Sequence, residues 1–197
     1  MGILDSLLGR SRPKQPDLDA LFQVPSAALT LLTELGMTPV GQGSVCYRAA
    51  TGAGFDRAGD ELRGLLALDP TLSVTTSVDA FGYTWTVVET GDGADSDVST
   101  LCTALHTVNS ALEAQGFGPG LLCTVVGFET SEGQRVGLVY LYKQGTFYPF
   151  APVPGANAHD PRRDSVLELR MRDALAGELR LEKDLQRWLA VWDAPGL

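Results

Sequence analysis

Apolar side chains recur along this chain in two rhythms, one helical and one extended, and the order in which they follow each other predicts an architecture. Leu18, Leu21, Phe22, Leu29, Leu32 and Leu35 return at helical spacing, which predicts a core-facing helical segment. Asp17 is placed to cap a first run over Leu18–Phe22, and a second starts near Pro25 and ends at Gly36. Ser44–Arg48 reads as a strand, Gly52–Gly54 as a turn, and Phe55–Leu68 as a helix with Leu62, Leu65, Leu66 and Leu68 on its apolar face. Leu72–Val78 and Tyr83–Glu89 are rich in Val, Thr and aromatics and flank a turn at Asp79–Gly82, which predicts an antiparallel hairpin. After the acidic, Gly-rich stretch Gly91–Asp97, residues Leu101, Leu105, Val108 and Leu112 mark a long helix over Val98–Gln115, capped by Gly116.

Three strands follow, Leu121–Phe128, Arg135–Lys143 and Thr146–Phe150, with turns at Ser131–Gln134 and Gln144-Gly145. Ala151–Arg163 is a Pro/Gly-rich loop suited to mobility. Ser165–Ala176 and Lys183–Trp192 read as closing helices, the last with Leu185, Trp188, Leu189 and Trp192 on one apolar face. Hairpins segregated from the helices between them predict an α+β fold: an antiparallel sheet with helices packed on it, not a doubly wound parallel sheet. The organisation expected is an amphipathic tip and Pro-containing linker over residues 1–16, then a single α+β domain over 17–197.

That tip carries Ile3, Leu4, Leu7 and Leu8 on one face, followed by the basic residues Arg10, Arg12 and Lys14, with Pro13 and Pro16 stopping any helix. Such a segment packs on its own domain, on a partner, or weakly and reversibly on an anionic membrane surface. Met1-Gly2 with Ser6 also fits a myristoylation pattern, read as coincidence because a composition rich in Ala, Gly and Leu and poor in lysine suggests a bacterial source.

Composition narrows the function classes. The 197 residues carry a net charge of −9, which argues against nucleic-acid binding, because that depends on neutralising phosphates. No run of about 18 apolar residues is present, and no secretory signal is recognised, so a cytoplasmic location is expected. Three cysteines, Cys46, Cys102 and Cys123, show no C-x-x-C spacing and read as buried hydrophobes in a reducing compartment. Abundant Ala, Gly, Leu and Asp, scarce lysine and a single isoleucine suggest a GC-rich bacterial genome.

No catalytic constellation assembles, so the chain is expected to be a binding protein and not an enzyme. The two histidines are His106 and His159; Cys102 and His106 lie four apart on one helix, the one spacing from which a thiolate pair is conceivable, and a histidine bonded to backbone is the commoner outcome. Neither a G-x-S-x-G elbow nor a metal-ligand spacing is present, and the Asp92–Asp97 stretch lacks the register of an EF-hand, so no metal and no cofactor are expected. Gly41-Gln42-Gly43 and Gly116–Gly120 each precede a strand, whereas phosphate loops follow one, so both read as turns.

The densest unusual feature is Tyr140-Leu141-Tyr142-Lys143 running through a turn to Phe147-Tyr148-Pro149-Phe150. Alternation places Tyr140 and Tyr142 on one face and sets Phe147 and Tyr148 on opposite faces. Two readings stay open. One is cross-strand aromatic pairing with a helix covering the second face. The other is a partner-binding patch of Tyr140, Tyr142, Lys143, Phe147, Tyr148 and Phe150. A pocket between sheet and helices lined by Tyr83, Trp85, Tyr140 and Tyr142, serving small-molecule sensing or chaperone-like binding, is the rival reading.

Met-Gly-Ile-Leu-Asp-Ser-Leu-Leu-Gly-Arg at the start, Pro16-Asp-Leu-Asp-Ala-Leu-Phe22 and Pro25-Ser26-Ala27 resemble the PspA-associated protein PspAB family of actinobacteria. Phe81-Gly82-Tyr83-Thr84-Trp85, His106-Thr107-Val108-Asn109, Gly116-Phe117-Gly118, Val139–Lys143 through Phe150, and the ending Trp192–Leu197 fit as well. The resemblance implies association with phage-shock protein A, a coiled-coil membrane-stress protein, and with an HtpX-type membrane metalloprotease. It carries no catalytic residues to transfer. The function expected from it is a cytoplasmic adaptor or regulator of the envelope stress response, peripheral to the inner face of the membrane, with the tip residues Ile3, Leu4, Leu7, Leu8, Arg10 and Arg12 touching lipid or partner.

Overall fold

Among the described residues, six strands pair in the order β2-β3-β1-β4-β5-β6, every neighbour antiparallel, and three helices pack against one face of the sheet. The computed structural model describes residues 17–48, 64, 69–90 and 97–197. The expected tip at 1–16, the turn at 52–54, the helix over 55–68 apart from Gly64, and the acidic stretch 91–96 lie outside the described residues. In chain order the elements are a 3-10 turn Leu18–Gln23, α1 Val24–Leu35, β1 Thr38–Tyr47, β2 Leu72–Val78, β3 Thr84–Thr90 and α2 Val98–Ala114, followed by β4 Leu121–Glu129, β5 Arg135–Leu141, β6 Thr146–Phe150 and α3 Ser165–Leu175. This is the α+β arrangement that the periodicity predicts.

Local chemistry sets these boundaries. Pro25 stands in the first turn of α1, where its missing N–H costs nothing, and Gly36 takes the left-handed conformation (φ 64°) that closes the helix. Asp97 caps α2 by accepting from Ser99 N at 2.9 Å, and Asp164 caps α3 by accepting from Leu167 N at 2.9 Å. Asp17 precedes the first 3-10 turn but makes no side-chain cap bond.

Alternation then sorts the strands into two faces. Val45, Tyr47, Val126, Phe128, Leu138, Tyr140 and Phe147 join Leu21, Leu31, Leu101, Leu105 and Met171 in the larger core beneath the helices. Cys46, Trp85, Cys123, Val125, Val139, Tyr148 and Phe150 point the other way. There they meet not a helix but residues 183–197, which cross this face as an irregular strap and contribute Trp188, Val191, Trp192, Ala194 and Leu197.

Two expectations change here. The predicted helix over Lys183–Trp192 is a single 3-10 turn, Leu185–Arg187. Side chains claim carbonyls that a helix would use: Trp188 Nε1 donates to Glu182 O at 3.0 Å, Arg163 Nη1 to Trp188 O at 2.8 Å and Tyr148 OH to Leu189 O at 2.8 Å. Leu185 and Leu189 are consequently exposed instead of sharing an apolar face with buried Trp188. Second, β1 begins at Thr38, well before Ser44, and a bulge between Pro39 and Gly43 absorbs the residues that read as a turn.

The sheet's edges and strap are tied by the backbone. Phe147 N donates to Arg180 O and Glu182 N to Phe147 O, so residues 180–182 cover the outer side of β6. The strap's end lies across Gly127 and Gly137, directly paired on β4 and β5. A Cβ at Gly127 would run into Gly196 O and the Val40 side chain, and one at Gly137 would come within 2.8 Å of Leu197 Cδ2. Ser44 Oγ donates to Pro195 O at 2.8 Å on the same track.

Candidate functional site

The strap does not fill its side of the sheet, and a cavity of about 460 Å³ remains between them. Its floor runs across four strands, from Trp85 on β3 through Cys46 on β1 and Cys123 on β4 to Leu141 on β5. Cys46 and Cys123 are direct cross-strand partners, so both thiols point into it. A register shift between Cys46 and Tyr47 leaves Leu122 as an extra residue on β4, and its side chain joins the same lining.

The walls are fixed by polar groups that satisfy each other. In the β2–β3 turn, Asp79 Oδ1 accepts from Phe81 N and Tyr83 N, each at 2.9 Å, while Oδ2 accepts from Trp85 Nε1 at 3.0 Å. One carboxylate therefore shapes the turn and orients the indole. Opposite, Tyr148 OH donates to Leu189 O at 2.8 Å, and its ring stacks on Trp188 with centroids 6.0 Å apart. Phe150 and Trp192 meet edge to face at 4.9 Å. At the rim stand Phe81, 76% exposed, and Leu189, 60% exposed, with Lys143 and Gln144.

Electrostatically this site favours a neutral Cys46 thiol and a charged Asp79. Interaction with the neighbouring Cys123 thiol, then burial, pushes the Cys46 thiol well above its ordinary value. Burial likewise raises the Tyr148 phenol. Burial acts upward on Asp79 too, but donation from Trp85, Tyr83, Phe81 and Gly82 outweighs it and holds the carboxyl below its usual range. The arrangement suits holding an apolar body and does not suit generating a thiolate nucleophile.

The hairpin at 140–150 has a different place from the patch reading. Tyr140, Tyr142 and Phe147 are buried under the helical layer, and Tyr148 and Phe150 are buried under the strap; of the six residues only Lys143 is exposed. The exposed aromatic patch is thus overturned, because both faces of β5–β6 are covered. Tyr140 OH donates to Asp17 O on one side and Tyr148 OH to Leu189 O on the other. Ile3, Leu4, Leu7, Leu8, Arg10 and Arg12 lie outside the described residues.

The quartet Tyr83, Trp85, Tyr140 and Tyr142 is split by the sheet: the first two line the cavity and the last two face the helices. Cys102 is buried, and burial pushes its thiol up to about 12. His106 turns from it to Asp19, with Nε2 at 3.2 Å from Oδ1, and to the ring of Phe22 at 4.7 Å. Among the described residues no group of three or more His, Cys, Asp or Glu side chains is arranged to hold a metal ion.

Sequence reasoning did not single out Asp79, Leu122 or the strap residues 189–192 as one site. The signal available was the alternation that sets Cys46 on the opposite face to Tyr47 and Cys123 on the opposite face to Thr124; the register that joins the two cysteines across strands is not written in either segment alone.

A second surface also departs from expectation. Phe22, Leu29 and Leu32 share the helical rhythm but point outward, Leu29 at 65% exposure, while Leu21, Val24, Ala27, Ala28 and Leu31 take the buried side. Val166 and Leu169 are exposed on α3, the helix on which α1 packs.

No curated protein and no solved structure matches this chain. The family described as PspA associated protein B, PspAB, matches residues 1–196, and the chain belongs to that family.

Proposed function

We propose that this protein is a non-enzymatic adaptor of the envelope stress response that binds PspA through the outer face of α1. The observation that carries this reading is the spacing of the exposed apolar residues. On α1, Leu29 and Leu32 are exposed at i and i+3 with half-buried Pro25 at i−4, and exposed Phe22 precedes them in the 3-10 turn that leads into the helix. That is the alternating three-and-four spacing of a helical seam, and a partner α-helix is the occupant it fits. Membership of a family described by its association with PspA supports PspA as the partner. The coiled-coil character that the sequence resemblance attaches to PspA agrees with that geometry.

Retention of PspA on the immobilised full chain tests this, with Leu29→Glu/Leu32→Glu as the variant. Both side chains are exposed, so the fold is expected to persist while PspA retention falls by more than about tenfold. Undiminished retention by the double variant would remove the α1 seam, and no retention by the wild type would remove the adaptor reading itself. An HtpX-type membrane protease belongs in the same assay as a second partner. Liposome flotation with and without residues 1–16 tests the peripheral membrane contact, which fails if the truncation floats as well as the full chain.

A further inference from the structure

We propose that the cavity beneath the strap is a binding site for a single-chain amphiphilic anion, a long-chain carboxylate, with its head at Lys143 and its tail toward Trp85.

Three observations carry this. The first is the lining. Asp79 and Tyr148, the groups best able to hold a polar ligand, already spend their hydrogen bonds on Phe81 N, Tyr83 N, Trp85 Nε1 and Leu189 O. Beyond Lys143 and Gln144 at the rim, an incoming molecule meets rings, methyl groups and two thiols. A polar body would lose its hydration there without replacement, whereas a hydrocarbon loses nothing.

The second is shape. From β3 to β5 the floor crosses three inter-strand steps of about 4.8 Å, roughly 14 Å in all. The floor is therefore long, and it is bounded along one side by residues 189–192. An extended chain fits such a trough better than a compact ring system. The apolar rim residues Phe81 and Leu189, both largely in water, would be covered in the same event.

The third is charge. Lys143 follows β5 at one end of the trough, is exposed, and among the described residues makes no ion pair. Asp79, the carboxylate in the lining, is held by its own turn. In a chain of net charge −9, a cation without a partner at the mouth of an apolar trough favours an anionic head and disfavours a cationic one.

The chain's three tryptophans, Trp85, Trp188 and Trp192, all belong to this layer, so intrinsic fluorescence reports on it directly. The experiment is quenching of the full chain by 12-bromododecanoate below its micelle concentration, beside 12-bromododecanol and 12-bromododecyltrimethylammonium. Saturable quenching strongest for the carboxylate, weakened about tenfold by Lys143→Glu and lost in Leu122→Phe, is the expected result. Lys143→Glu changes an exposed side chain, so it reads head recognition even if Leu122→Phe fails to fold.

Absence of saturable quenching overturns the site. Equal quenching by the alcohol, or an unchanged affinity in Lys143→Glu, overturns the anionic head. Quenching seen only with vesicles of brominated phosphatidylglycerol would mean contact with a membrane surface and would overturn the pocket.

Discussion

The two faces of the sheet are covered by different kinds of chain, and they pack differently. On one face the regular rows of α1, α2 and α3 meet regular rows on the strands. Leu105 approaches β1 so closely that a Cβ on Gly43 would lie 2.8 Å from its Cδ1. On the other face an irregular strap is tied through its main-chain carbonyls, which accept from side chains: Leu189 O from Tyr148 OH, Trp188 O from Arg163 Nη1 and Pro195 O from Ser44 Oγ. Repeating side chains interdigitate and leave no room. A strap anchored through its carbonyls is fixed in position without being close-packed, and the cavity is what remains.

The largest test of that contrast is a pair of truncations. Leu105→Ala in the helical layer is expected to cost about 2–5 kcal/mol in urea denaturation, because its surroundings cannot collapse into the space. Leu122→Ala, facing a void that already exists, is expected to cost less than about 1.5 kcal/mol, since it removes contacts on one side only. Equal costs would mean that both faces are equally packed.

Next in size is the link between α3 and the strap. Buried Glu168 accepts from Arg163 Nε at 2.8 Å and from Ala151 N at 2.9 Å, and Arg163 in turn holds Trp188 O and lies 4.9 Å from the Phe150 ring centre. Glu168→Ala strands the guanidinium and is expected to destabilise by about 3 kcal/mol, with a red shift of tryptophan emission if strap and helix are joined through this pair. Unchanged emission on the folded side of the transition would show the strap to be held independently.

A smaller effect concerns pH. The Asp79 carboxyl is lowered in the folded chain, so its contribution is fully present above the unfolded carboxylate value and is lost as pH falls through the folded one. Acid titration is expected to alter Trp85 emission in that window in the wild type, and Asp79→Asn to flatten the change. Asp69 and Asp97 are also lowered but lie away from Trp85, so the difference between the two titrations isolates Asp79. Smallest of all, Leu189→Ser at the exposed rim is expected to move stability by no more than about 0.5 kcal/mol in a thermal melt.

Much of the architecture was legible because it depends on local rules. Gly36 after Leu35, Asp97 before Val98 and the valine- and threonine-rich runs around Asp79 mark their elements from within. The strap was not legible: Leu185, Trp188, Leu189 and Trp192 do recur at helical spacing, and the bonds to Arg163 and Tyr148, distant in sequence, help break the helix they spell. The aromatic hairpin misled for a related reason. Its alternation correctly placed side chains on two faces, but whether the second face is wet depends on a segment some forty residues later. Likewise Phe22, Leu29 and Leu32 repeat as regularly as Leu21, Val24 and Leu31, and periodicity alone does not say which stripe turns inward.

The paired glycines beneath the strap's end bear on how this chain tolerates mutation. At Gly137 a methyl group would meet the tip of the Leu197 side chain, which can rotate away. At Gly127 it would meet a carbonyl of the chain itself, which cannot. A lesion at 127 is therefore expected to leave strand β4 in place and to show itself as a displaced strap and an altered cavity. Its suppressors would arise around Pro195-Gly196, far along the sequence, and not among the neighbours of the glycine that was changed.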